Sequence, residues 1–288
     1  MNAPLRPAEP LPLRTELGSP QAEPLPPPPG GPLNIVYTQT RVLAGCVERL
    51  QRLPGVVRAD RSELAEVFKR LRSQLLQRLQ ADGHSLLAVT SPRAIAGKSL
   101  TALNLALAMA AELDRTVLLV DADLSGHGLQ SLLGLGEAPG LGEHLSDGTP
   151  LETLLVNPGV QRLVVLPGGR RGGPASAELL GTRAMQRLGQ EIRQRYPDRV
   201  VVIDMPPLLD TADAMALLPL ADTTLLVAEE HGTSLADLEA AAALLAPFNL
   251  VGSVLTRKPP ASGPAQPLWW RRWRRPAALP THGTRPTA

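Results

Sequence analysis

The chain has 288 residues, of which 43% are hydrophobic but only 2% aromatic, so a core is permitted and must be built from Leu, Val, Ala and Ile. A formal net charge of +2 and a pI near 9.0 argue against a dedicated nucleic-acid binder. The single cysteine, Cys46, excludes an internal disulfide, and no apolar run reaches the roughly 18 residues that cross a bilayer, so a cytosolic chain in a reducing compartment is expected.

In chain order, residues 1–33 are proline-dense and end in PLPPPPGGP and Leu33. Such a segment stays extended and cannot bury a core, so a disordered arm is expected there. Residues 34–52 read as a short strand and a helix. Residues 60–79 read as a helix capped by Asp60, with Glu63 three positions on. Leu64, Val67, Phe68, Leu71, Leu75, Leu76 and Leu79 form its apolar stripe. Glu66, Lys69 and Arg72 lie three apart along another ridge, which by itself reads as a solvated charged face with intrahelical pairs.

The stretch SLLAVTSPRAIAGKSLTALN, residues 85–104, carries the strongest signal. A strand over 86–89 leads into a loop closing on Gly97-Lys98-Ser99, and a helix follows over 99–113. Strand, loop and helix in this order is the layout of a nucleoside-triphosphate site. The backbone N–H groups of Ala94, Ile95, Ala96, Gly97, Lys98, Ser99 and Leu100 would cradle phosphates, aided by the helix dipole. Lys98 would reach the β- and γ-phosphates, and the Ser99 hydroxyl would sit on Mg²⁺. The spacing is imperfect, since Pro92 stands where a small residue is usual and Ile95 where Gly is frequent.

A buried strand over 116–120 ends in Asp121-Ala122-Asp123, and carboxylates at such a strand end face the ligand crevice of a parallel sheet. A short helix spans 140–147 and stops at Gly148. A strand over 162–166 is ended by Pro167-Gly168-Gly169, and a helix follows over 175–195. The strand over 199–203 ends in Asp204-Met205-Pro206-Pro207, the second metal-site signal of phosphate-loop enzymes. Strands over 223–228 and 251–255 flank a helix over 234–245. This alternation predicts an α/β fold with a doubly wound, mostly parallel sheet over 34–257. Residues 258–288 form a basic tail rich in Trp, Arg and Pro, whose LWWRRWRR stretch suits an anionic interface.

Together, TSPRAIAGKS, LLVDAD and VVIDMPP resemble the bacterial tyrosine autokinases of exopolysaccharide and capsule synthesis, most closely their exosortase-associated branch. The resemblance runs over about 63–255 and includes LVVLPGGRR, AELLG and RYPDR. It implies a phosphate-loop ATPase fold, ATP and Mg²⁺ as cofactors, Lys98 as the phosphate-binding lysine and Ser99 as a metal ligand. It implies that Asp121 activates the tyrosine hydroxyl, that Asp123 helps hold the metal and that Asp204 positions it. Glu66, Lys69 and Arg72 match a helix that drives self-association in that family. The implied partner is a membrane chain-length co-polymerase, which would hold the chain at the inner membrane.

The chain departs from the family in several places. Ala94-Ile95 replaces a Pro-Gly pair, Thr256 an Asn, Ser125 an Arg and Lys69 an Arg. The family's terminal tyrosine cluster is missing: the tyrosines are Tyr37 and Tyr196, with Tyr37 the candidate phosphoacceptor. Three readings follow. One is an ATP-dependent tyrosine kinase of polysaccharide export and chain length. Another is a non-catalytic ATP-binding regulatory module of that pathway. The third is a partition-type ATPase, whose signature lysine is Arg93 here.

Overall fold

The computed structural model describes residues 40–57, 62–95, 97–112, 114–126, 128–170, 176–195 and 199–257. Asp60, Ala96, Tyr37, Tyr196, the 1–33 arm and the 258–288 tail lie outside the described residues. A short strand β1 (Arg41–Val42) and helix α1 (Cys46–Arg52) open the fold, followed by α2 (Glu63–Ala81), β2 (Leu86–Thr90) and α3 (Lys98–Ala110). Then come β3 (Thr116–Asp121), α4 (Gly128–Leu133), α5 (Leu141–Asp147), α6 (Leu151–Leu154), β4 (Val156–Asn157) and β5 (Leu163–Leu166). The chain continues through α7 (Ser176–Leu180), α8 (Arg183–Arg195), β6 (Arg199–Asp204), α9 (Asp213–Leu217), β7 (Thr223–Glu229), α10 (Leu235–Leu245) and β8 (Leu250–Thr256).

The strands form one sheet in the order β1-β4-β5-β3-β6-β2-β7-β8. All neighbours are parallel except β4 and β5, which pair antiparallel. The continuous apolar runs read from the sequence are what a two-faced sheet requires. Alternate residues of β2 go to opposite cores: Leu87 and Val89 to one, Leu86 and Ala88 to the other. The same division holds in β3, where Val117 and Leu119 face one core and Leu118 and Val120 the other. Helices α1 to α4 pack on the first face, and α5 and α7 to α10 on the second. The doubly wound α/β prediction therefore holds, with the aliphatic core that the composition demanded.

Three local expectations shift. Helix α2 starts at Glu63 with Ser62 as its N-cap, whose Oγ accepts from the Ala65 N–H at 3.3 Å. The helix expected over 175–195 is two helices. Thr182 divides them, donating its hydroxyl to the Leu179 carbonyl at 2.7 Å and accepting from the Met185 N–H at 3.3 Å. The strand expected from Arg162 begins at Leu163, because Arg162 has a φ of 63°.

The topology builds the site. Strand β6 lies between β2 and β3, although β3 follows β2 in sequence. In register, Asp204 stands beside Val89 on one side and Asp121 on the other. Three strand ends thus meet at the point where the order reverses, which is where open α/β sheets bind ligands.

At the opposite edge, Asp222 starts the sheet. Its Oδ2 accepts from the N–H groups of Ser85 at 2.9 Å and Leu86 at 2.8 Å, and its Oδ1 takes Arg193 Nη2 at 2.7 Å. Burial alone would raise the pKa of this carboxyl, but the two N–H donors and the guanidinium hold it below the ordinary value. A depressed folded pKa contributes stability above the unfolded pKa, and that stability is lost as pH falls through the folded value. Asp222→Asn is expected to lower the unfolding free energy at pH 7 by about 2 kcal/mol, with the difference shrinking toward pH 3. Urea titrations at both pH values check this, and equal stability at pH 7 would refute it.

Candidate active site

Lys98 is the first residue of α3, directly after Gly97, and its side chain is only 3% exposed. Its Nζ donates to Asp204 Oδ1 at 2.8 Å and to Asp123 Oδ2 at 3.0 Å. Burial would lower the lysine's pKa, but the carboxylates of Asp204 and Asp123 outweigh it and raise the pKa well above the usual lysine range. Lys98 therefore stays a cation while nearly dry. Asp123 also accepts from the Gly126 N–H at 3.0 Å, which closes the turn after β3 around the carboxylate.

Asp121 and Asp204 are fully buried. Among the described residues, both oxygens of Asp121 and Oδ2 of Asp204 have no hydrogen-bond partner within ordinary bonding geometry. Burial raises the pKa of Asp121, and the charges of Asp204 and Asp123 push it further in the same direction. Asp204 is raised chiefly by burial, with Lys98 pulling it back and the neighbouring Ser99 hydroxyl a smaller opposing influence. Buried carboxylate oxygens without donors are costly and fit a cation. Among the described residues, no three His, Cys, Asp or Glu side chains are arranged to hold a metal by themselves. The donor set therefore suits Mg²⁺, which takes one or two carboxylates and completes its shell with water and phosphate oxygens.

The loop is fitted for an anion. No described group accepts from the N–H groups of Ile95, Gly97, Lys98 or Ser99. The Ala94 N–H differs, donating to Asp210 Oδ2 at 2.7 Å. Ile95 and Leu100 pack their side chains onto the core under the loop. Ile95 is not among the residues with positive φ, so no left-handed strain arises there. Gly97 has no room for a side chain: a Cβ would come 2.8 Å from Thr256 Oγ1. Gly128 closes over Ser99 in the same way, at 2.7 Å from its Oγ, and Gly168 lies against the Asp121 carboxyl.

The expected helix ridge splits in role. Lys69 pairs with Glu66 at 2.7 Å on the exposed face of α2. Arg72 instead turns inward, donating to the Ala108 carbonyl at 3.0 Å and pairing with Glu112 at 2.7 Å. It ties α2 to the C-terminal end of α3, where a cation also suits the helix dipole. Sequence reading missed several residues around the loop. Thr90, fully buried, donates to the Pro206 carbonyl at 2.8 Å and so links the ends of β2 and β6. Asp210 and Asp237 bind Arg93. None of these carries a motif, since their partners lie more than a hundred residues away.

Fold and site together define a phosphate-loop NTPase. Within that class the chain is similar to bacterial tyrosine kinases, as its motifs implied. It is 34% identical over 184 residues to the succinoglycan biosynthesis transport protein ExoP of Rhizobium meliloti, covering 63% of this chain and 23% of that protein. It is 36% identical over 131 residues to the tyrosine-protein kinase YwqD of Bacillus subtilis, covering 46% of this chain and 54% of that one. Among solved structures, the BceF tyrosine kinase domain superposes with a TM-score of 0.63 at 26% identity, covering 78% of this chain and 94% of that domain. No family model matches. The chain spans about a quarter of the first curated relatives it matches, 26% of the Acinetobacter johnsonii tyrosine-protein kinase ptk and 23% of ExoP.

Asp121 has a raised folded pKa, so its charge opposes the fold; its contribution is favourable below the unfolded pKa and lost as pH rises through the folded value. Asp121→Asn is expected to stabilise the protein at pH 7 by about 1–3 kcal/mol, a gain that shrinks on acidification. Thermal melts without added nucleotide or Mg²⁺ test this, and a lower Tm at pH 7 would contradict it.

Proposed function

We propose that this chain is the catalytic unit of an ATP-dependent protein-tyrosine kinase serving exopolysaccharide polymerisation, export and chain length. The observation that carries the reading is the meeting of Lys98, Asp121, Asp123 and Asp204 at adjoining strand ends, beside a loop whose Ile95, Gly97, Lys98 and Ser99 N–H groups have no acceptor among the described residues. Phosphoryl transfer needs positioning and charge neutralisation more than covalent chemistry, and this site supplies both.

In this reading the N–H groups of Ile95, Gly97, Lys98 and Ser99 hold phosphate oxygens. Lys98 exchanges a carboxylate contact for the triphosphate, which carries charge of the same sign. Ser99, Asp123 and Asp204 would hold Mg²⁺, which when bound offsets charge on the phosphates. Asp121 takes the proton of a tyrosine hydroxyl as its oxygen bonds to the γ-phosphorus, and ADP departs. A carboxyl whose pKa is raised by burial is a better base than a solvated one.

The acceptor is a tyrosine of a partner or Tyr37. The partner in this reading is a membrane chain-length co-polymerase, which would keep the kinase cytoplasmic and peripheral to the inner membrane. Among the described residues no helix is long and apolar enough to cross a membrane. Self-association would use the exposed α2 face bearing Glu66, Val67 and Lys69, with Arg72 fixing that helix on α3. A second reading, an ATP-binding regulator without transfer, draws on the chain having no tyrosine after Tyr196. The partition-ATPase reading is weakened because Arg93 is engaged within its own chain.

Incubation with ATP, Mg²⁺ and a membrane chain-length co-polymerase is expected to yield phosphotyrosine. Lys98→Met is expected to cut that yield by about a hundredfold or more. ATP binding without phosphotyrosine on any partner would favour the regulator, and no ATP binding would defeat both readings.

A further inference from the structure

The segment after β6 does not leave the sheet at Asp204. It runs on beside the first half of the phosphate loop. Met205 N–H donates to the Val89 carbonyl at 2.9 Å, Leu208 N–H to Ser91 at 2.9 Å and Leu209 N–H to Pro92 at 2.9 Å. Thr90 returns a bond to the Pro206 carbonyl at 2.8 Å. This ladder ends on Asp210, whose two oxygens grip the loop itself: Oδ2 accepts the Ala94 N–H at 2.7 Å and Oδ1 takes Arg93 Nη1 at 3.0 Å. Arg93 Nε reaches a third segment, donating to Asp237 Oδ1 at 2.8 Å in the first turn of α10. The other Asp237 oxygen accepts the hydroxyl of Ser234, the N-cap of α10, at 2.8 Å.

We propose that Asp210 is a positioning residue of the phosphate loop, a carboxylate that captures the Ala94 N–H and so presents the following N–H groups to the nucleotide. The inference rests on the nucleotide-binding reading above. Pro92 fixes φ at one position, but Ala94 and Ile95 after it are not proline and have no such constraint. A flexible arm must be ordered when ligand binds, and that cost weakens affinity; an arm already tied down avoids it. The geometry sets a boundary at Ala94. Its N–H is spent on Asp210, whereas those of Ile95, Gly97, Lys98 and Ser99 have no described acceptor. The arrangement also solves an electrostatic problem. A carboxylate next to a triphosphate site would repel the ligand, and the guanidinium of Arg93 lies against both acids of the clasp. Its planar fork lets one cation reach both through separate nitrogens, Nη1 to Asp210 and Nε to Asp237.

The distinguishing experiment compares Asp210→Ala with Asp210→Asn in the full chain. Asparagine keeps an oxygen for the Ala94 N–H but removes the charge. Mg-ATP dissociation constants from calorimetry are expected to rise about tenfold for Asp210→Ala and no more than about twofold for Asp210→Asn. Hydrogen exchange should show the Ala94 amide protected in the wild type and in Asp210→Asn but not in Asp210→Ala, a readout independent of nucleotide. Affinity unchanged or tighter in Asp210→Ala would overturn the proposal, as would equal losses in both variants. If the wild type itself binds no Mg-ATP, the functional reading fails and this inference with it. If the wild type binds and only the variants contradict expectation, the inference alone fails.

Discussion

The structure depends on one buried cation. Lys98 sits almost without solvent between Asp123 and Asp204, with Asp121 beside them. Removing four charged groups from water is expensive, and one ammonium cannot satisfy three carboxylates. The surplus appears as oxygens on Asp121 and Asp204 without a hydrogen-bond partner among the described residues and as raised pKa values on both. A fold selected for stability alone would place apolar side chains there. Holding negative charge in excess is useful where a hydrated divalent cation and a transferring phosphoryl group are to be handled.

The rest of the molecule can be understood as the scaffold that makes such a cluster tolerable. Insertion of β6 between β2 and β3 brings three carboxyl ends side by side. Two aliphatic cores, one on each face, keep those strands from moving. Close backbone approaches then shape the rim. Gly97 lies under Thr256, Gly128 over Ser99 and Gly168 against Asp121, each at a spacing that a side chain would violate or crowd. The ladder from Met205 to Asp210 extends the same logic past the sheet, binding the loop after β6 to the loop after β2.

The charged ridge on α2 shows how one pattern can serve two ends. Glu66 and Lys69 pair with each other in solvent, where screening leaves such a pair little weight. Arg72, one turn further on, is half-buried and reaches the Ala108 carbonyl near the end of α3 and the Glu112 carboxylate just past it. Helical spacing placed all three on one ridge, but the neighbouring helix covers only part of it.

Much of this was legible in the residues alone. Continuous runs of Val, Leu and Ile announced strands buried on both faces, because a strand packed on one side would alternate. Gly97-Lys98-Ser99 after such a run, and acids at the ends of two more, announced an anion site at one edge of a parallel sheet. Those signals are local: each rests on a few adjacent residues whose chemistry is readable in sequence. Strand order was not local, and neither was the antiparallel pairing of β4 or the inward turn of Arg72. The clasp of Arg93, Ala94, Asp210 and Asp237 spans 144 positions between its most distant partners. No periodicity encodes a contact of that separation. It exists only because chain entropy has already been overcome by burial of the two cores, which brings those loops to one edge. Sequence by itself determined which charged groups stand at the strand ends and the loop; the tertiary fold alone decided which of them touch, which stay unpaired among the described residues and which hold the loop in place.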